Sequence, residues 1–181
     1  MPEQGLRYNA GMSEAQEKPP IAAGEMAIAE LMATCALDAR NAAQSKFNCS
    51  LDGSFASIET LEEILAIQHA AIPRGWKRLL RKPLPPEAIQ RSAFLWGGYL
   101  GEVFRERWGG EWSFAEEGPL AGSACLTIGS MVLSPPAKVG KRLENGAEDS
   151  VWSYAKILEK QMEERLAAGL PDLASPDSLD G

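Results

Sequence analysis

Apolar residues recur along this chain with two different periods, and the change of period divides it. From Gly24 to about Gln44, Ile28, Leu31, Met32 and Cys35 fall at helical spacing in an alanine-rich stretch, which predicts a first helix. Phe47 to Leu51 reads as an edge strand or an extended connection, and Asp52-Gly53 as a turn. Ile58, Leu61, Ile64, Leu65 and Ile72 then share one face of a second helix. Ser57 is its expected N-cap, with a capping box from Thr60 to Glu63 as a competing start, and Pro73 and Gly75 end it. Pro83, Pro85 and Pro86 form a connector. Because proline is favoured at the first helical position, Pro86 opens a third helix, which runs to Trp108 and takes Gly109 as a left-handed cap.

Beyond Trp108 the period falls to two. Glu111 to Phe114 alternates polar and aromatic residues as a strand does, Gly118-Pro119 turns the chain, and Ala124 to Ile128 and Met131 to Leu133 read as strands joined by a hairpin at Gly129-Ser130. Pro135-Pro136 is read as the end of the sheet, and Lys138 to Glu144 as a short helix or turn closed by Asn145-Gly146. Helical spacing returns from Ser150 to Ala168, with Val151, Tyr154, Ala155, Leu158, Met162 and Leu166 on one face and Gly169 as the cap.

Helices around a few adjacent strands, with no repeated strand–helix–strand alternation, predict an α+β fold: a small antiparallel sheet packed by several helices, with a glycine-containing helix at its centre. The expected plan is a tail over residues 1–23, a single domain over 24–169 and a second tail over 170–181. Within that domain, 24–46 is expected to be a peripheral helix that docks on the rest or pairs two copies as a homodimer.

The third helix carries the most unusual feature. Ser92, Trp96, Tyr99, Leu100, Val103 and Phe104 make a broad apolar arc, and Gly97 and Gly101 lie four residues apart on one side of it. Interior glycines lower helix stability, so something must require them. Either another element packs closely there, or the glycines floor a ligand pocket with Tyr99 and Glu102 at its edge. Glu102 lies one turn before Glu106; the pair is a candidate for sharing a proton or a cation, and Arg105 and Arg107 stand close enough in sequence to neutralise it instead. Trp108 and Trp112 form an aromatic margin at the end of this helix. The polar run from Lys138 to Ser150 offers Lys138, Lys141 and Arg142 as a charged rim for a partner, while Asp149 or Ser150 is expected to cap the last helix. Arg74 to Lys82 holds five basic residues and one tryptophan, and suits either a solvated loop or an acidic-ligand site.

Composition removes several classes. The net charge of −7 over 181 residues argues against nucleic acid or an anionic membrane as the partner, and no apolar run is long enough to span a bilayer. An acidic, polar beginning without a basic region leading into an apolar one argues against a secretory leader. Cys35, Cys49 and Cys125 are odd in number and far apart, as free thiols of a reducing cytoplasm are, and the single histidine, His69, is not placed beside any of them. No phosphate loop, dinucleotide fingerprint, nucleophile elbow or zinc-protease motif occurs. The residues therefore call for no catalytic constellation, metal site or cofactor.

Three segments, Tyr99 to Val103 (YLGEV), Gly109 to Trp112 (GGEW) and Lys138 to Ser150 (KVGKRLENGAEDS), taken in this order, resemble a pattern of small cytosolic bacterial α+β domains without an assigned catalytic activity. The resemblance spans roughly Leu51 to Leu158. It implies a class and a cytosolic setting and carries no catalytic residues with it. The expectation is a non-enzymatic protein-interaction domain of adaptor or immunity type, with a small-ligand binder or minor hydrolase beside the glycine helix as the alternative.

Overall fold

The computed structural model describes residues 23–73, 85–118, 120 and 122–168, with side chains from residue 28 onward. The two predicted tails, apart from Ala23, which begins the first helix, lie outside the described residues, as do the basic segment from Arg74 to Lys82 and the Gly169 cap. The fold is α+β. Helix α1 (Ala23–Ala42) ends in a π-helical turn (Ala43–Phe47), followed by α2 (Ser57–Ala71) and α3 (Pro86–Trp108). Strands β1 (Glu111–Phe114), β2 (Ala124–Ile128) and β3 (Met131–Leu133) follow, then α4 (Pro135–Asn145), a 3-10 turn (Ala147–Asp149) and α5 (Val151–Ala167).

The strands form one antiparallel sheet in the order β1-β2-β3. Its register places Trp112 opposite Leu126 and Leu126 opposite Leu133, so a buried row crosses the sheet and faces the helices. Above that row lies α3. From Trp96 to Phe104 every residue of α3 is buried, so its middle is enclosed on all sides rather than on one stripe.

The surroundings of α3 account for its glycines. A Cβ on Gly97 would stand 2.4 Å from the Pro136 Cα, and one on Gly101 would stand 2.3 Å from the Trp112 ring. A third glycine, Gly98, meets α1: a Cβ there would lie 2.6 Å from the Cys35 Cβ and 3.0 Å from the Met32 carbonyl oxygen. On α1, Ile28, Met32, Ala36 and Ala39 are buried, as is Ala43 at the start of the π-helical turn. The first helix is therefore an integral part of the core and not a peripheral one. Its small inward side chains and Gly98 let two helix backbones approach closely.

Several local expectations are corrected. Ser57 is the first residue of α2 rather than its cap; its backbone N–H donates to the Ser54 hydroxyl at 3.3 Å, and its own hydroxyl turns elsewhere. Residues 47–51 contain no strand, because the π-turn closes through Cys49 N–H to the Ala43 carbonyl and Asn48 takes a left-handed conformation. Pro135 and Pro136 begin α4, with the Ser134 hydroxyl accepting from the Ala137 N–H as the cap. Proline lacks only an N–H that the first helical turn leaves unpaired anyway. Gly109 has the positive φ of 75° that favours glycine, but its ψ of −161° is extended rather than left-handed helical. Ser150 caps α5 as expected, accepting from the Ser153 N–H.

Candidate functional site

Gly101 leaves space for an indole, and the indole makes a specific bond. The Trp112 Nε1–H donates to Glu102 Oε1 at 2.7 Å. Arg105 grips the same carboxylate, with Nε at 3.0 Å from Oε1 and Nη2 at 2.7 Å from Oε2. That hydrogen bond to Glu102 is the main reason the Arg105 pKa lies above its ordinary value. Glu102 is only 7% exposed, so three charge-assisted bonds hold it in place. The pocket expected above Gly97 and Gly101 is filled: Pro136 stands on the first, and Trp112 and Pro135 on the second. Glu102 faces Arg105 and Trp112, and Glu106 adds its charge to that of Glu102 near Arg105. Among the described residues no cluster of three or more metal-ligating side chains forms.

Tyr99 is also directed inward. Its hydroxyl accepts from the Gly53 N–H at 3.0 Å and donates to the Ser57 hydroxyl, which donates to the Ser54 carbonyl. The chain of bonds ties α3 to the turn that starts α2. Burial is the largest influence on the Tyr99 pKa and pushes it up, against the opposing effect of the bonds to Ser57 and Gly53.

The polar run that begins at Lys138 folds back on the protein. Arg142 is 3% exposed and donates from Nε to Glu62 Oε1 at 2.6 Å. The other oxygen of Glu62 accepts from the Ser150 hydroxyl at 3.1 Å and from the backbone N–H groups of Val151 at 2.7 Å and Trp152 at 3.3 Å. Glu62, from α2, thus supplies the negative charge at the N-terminus of α5. Burial pushes its carboxyl up, but the Arg142 guanidinium and the two amides outweigh burial, and its pKa lies below the ordinary glutamate range. Lys138 reaches Asp149 at 2.9 Å and lies over the Tyr154 ring, while Asn145 donates to the other Asp149 oxygen. Of the three predicted rim cations, Lys141 is the exposed one. His69 donates from Nδ1 to the Leu143 carbonyl at 2.9 Å. All three thiols are free, and in each the largest effect is burial, which raises the pKa and works against a reactive thiolate.

What reaches the surface is an aromatic and cationic patch. Phe55, in the turn before α2, has its ring 5.8 Å from Trp108 at the end of α3 and 5.9 Å from Trp152 at the start of α5. Fully buried Phe104 supports them from below at 5.4 Å from Trp108. The three upper rings are half-buried. Two cations lie across them: Arg107 is 4.7 Å from the Phe55 ring and 5.6 Å from Trp108, and Lys156 is 5.8 Å from Phe55 and 5.7 Å from Trp152. Both cations bind Glu159. Of this group the sequence singles out Trp108 as a contact residue. Phe55 and Trp152 are missed because three elements distant in sequence bring the rings together. The signals present were a lone aromatic within the polar turn SLDGSFAS and a tryptophan off the apolar face of the last helix.

Trp112, Glu102, Tyr99 and Arg142 are thus held in internal bonds, while Trp108, Lys141 and part of Lys138 reach the surface. No protein-family model matches the chain, and no curated protein or solved structure gives a significant match.

Proposed function

We propose that this domain is a protein-recognition module and that the patch of Phe55, Trp108, Trp152, Arg107 and Lys156 is its contact surface. The observation that carries the reading is the cluster of three half-buried rings, in edge-to-face and tilted contact, beneath two cations on the outside of the fold. Tryptophan and arginine are the residue types that dominate binding energy at protein interfaces, and aromatic rings fixed by one another lose little conformational freedom on binding. Arg107 and Lys156 keep 42% and 54% of their side-chain surface exposed, so a partner has access to them. The acidic chain favours protein over nucleic acid as the partner. A role as an adaptor or immunity-type inhibitor in the bacterial cytoplasm agrees with three free thiols. No helix among the described residues is long and apolar enough to cross a membrane.

Quantitative affinity capture from a bacterial lysate tests the proposal, comparing the native chain with Trp152→Ala and with the double variant Arg107→Ser, Lys156→Ser. Both variants are expected to lose the captured protein by about tenfold or more. The unfolding midpoint of the double variant is measured alongside, because Glu159, only 14% exposed, loses both of its ion-pair partners in it. Equal capture by all three proteins removes the patch from the account.

A further inference from the structure

The ion pairs of the patch hold more positive charge than negative. Arg107, from α3, and Lys156, from α5, share a single carboxylate, that of Glu159. Arg107 Nη2 donates to Glu159 Oε1 at 2.7 Å and Lys156 Nζ donates to Oε2, so one oxygen serves each cation. Among the described residues neither cation has a second carboxylate within ion-pair distance. Glu159 is mostly covered, while both cations stay open to solvent. Together they form a seat that already fits a carboxylate, joined from two helices and laid across three aromatic rings.

The seat is not saturated. A guanidinium carries several N–H donors and an ammonium three, and each cation places only one nitrogen on Glu159. An ion pair whose cations are exposed contributes little net stability, so exchanging one carboxylate for another there costs little. The chain as a whole, at −7, repels an acidic partner from a distance. Salt at physiological strength screens that repulsion beyond about 8 Å, whereas contact pairs beside the aromatic cluster are screened less.

We infer that the protein segment recognised by this patch carries a glutamate or aspartate beside a large apolar side chain, and that its carboxylate enters the seat between Arg107 and Lys156 in place of Glu159. The inference rests on the patch being the contact surface. The apolar side chain gains by leaving water against Phe55, Trp108 and Trp152. Glu159 is then an internal competitor: it holds both cations in position in the free protein and lowers affinity for the partner. A neutral amide of the same shape fills the seat without the charge-assisted bonds and binds more weakly.

Two peptides blocked at both ends, GSLEFSG and GSLQFSG, test the exchange when titrated into the full chain labelled for two-dimensional NMR, read at the indole N–H signals of Trp108 and Trp152. The glutamate peptide is expected to shift both indoles with a Kd of about 1 mM, an affinity suited to so short a probe. It is expected to bind about three- to fivefold more tightly than the glutamine peptide. Glu159→Gln is expected to raise affinity for the glutamate peptide by about threefold and to leave the glutamine peptide unchanged. The double variant Arg107→Ser, Lys156→Ser is expected to bind the two peptides equally. If Glu159 served only to pin the cations, its replacement would weaken the glutamate peptide instead. Equal binding of the two peptides by the native chain, unchanged or weaker binding of the glutamate peptide by Glu159→Gln, or no shift at either indole overturns the inference. Should Glu159→Gln fail to fold, the comparison of the two peptides on the native chain decides the matter. The contact surface is judged separately: lysate capture lost in Trp152→Ala keeps the patch even where the peptides show no charge preference, and capture indifferent to Trp152 removes both.

Discussion

Gly97, Gly98 and Gly101 of α3 and Gly140 of α4 behave as two kinds of residue. Gly97, Gly98 and Gly101 are held by contact, since a single added carbon meets Pro136, α1 or the Trp112 ring. Gly140 is not. Gly97→Ala and Gly101→Ala are therefore expected to destabilise the fold by roughly 1–3 kcal/mol through overpacking. Gly140→Ala is expected to stabilise it by about 0.5–1 kcal/mol, the ordinary gain of alanine over glycine in a helix. Urea denaturation of the three variants checks both signs. Close packing at Gly97 and Gly101 was legible from their spacing in an apolar helix. The identity of the packing groups was not, because Trp112 and Pro136 arrive from β1 and α4. Glu102 illustrates the same limit: its place beside the glycines was readable, whereas its bonds to Trp112 and Arg105 depend on how β1 returns over α3.

At the scale of elements, periodicity located the three strands and most helix ends, because those boundaries coincide with changes of hydrophobic pattern or with glycine and proline. It erred where one residue type serves two purposes. Pro135-Pro136 reads equally as the end of a strand and the start of a helix, and the Ser134 hydroxyl decides for the helix. Ser57 carries a cap's chemistry but gives its hydroxyl to the Tyr99 relay. The junction of α2, α4 and α5 was not legible, because Glu62 lies among Ile58, Leu61 and Leu65 and finds Arg142 and the α5 amides only in the folded chain. Removing that carboxylate strands a buried guanidinium, so Glu62→Ala is expected to cost about 3–5 kcal/mol. The pH dependence follows from the depressed pKa of Glu62. Its contribution is fully present above the unfolded glutamate value, about 4.3, and is lost as pH falls through the lower folded value. Denaturation midpoints measured from neutral pH downward are expected to fall less steeply in Glu62→Gln than in the native chain below that point.

For the whole molecule, the internal bonding of the motif residues moves the question of function elsewhere. Tyr99, Glu102, Trp112 and Arg142 join elements to one another, and the recognition we propose falls to the surface where the turn before α2 meets the end of α3 and the start of α5. Integration of α1 into the core leaves its outward side, with Leu31 and Leu37 exposed, for the homodimer expected as the alternative to docking. Site-specific photo-cross-linking separates the two surfaces. A benzophenone amino acid is placed at position 160, one turn beyond Lys156 at the edge of the patch, or at position 37, on the outer side of α1, in the full chain expressed in bacteria. Recognition through the patch predicts a discrete covalent adduct with another protein at position 160 and none at position 37. A self-adduct at position 37 with no adduct at position 160 contradicts it.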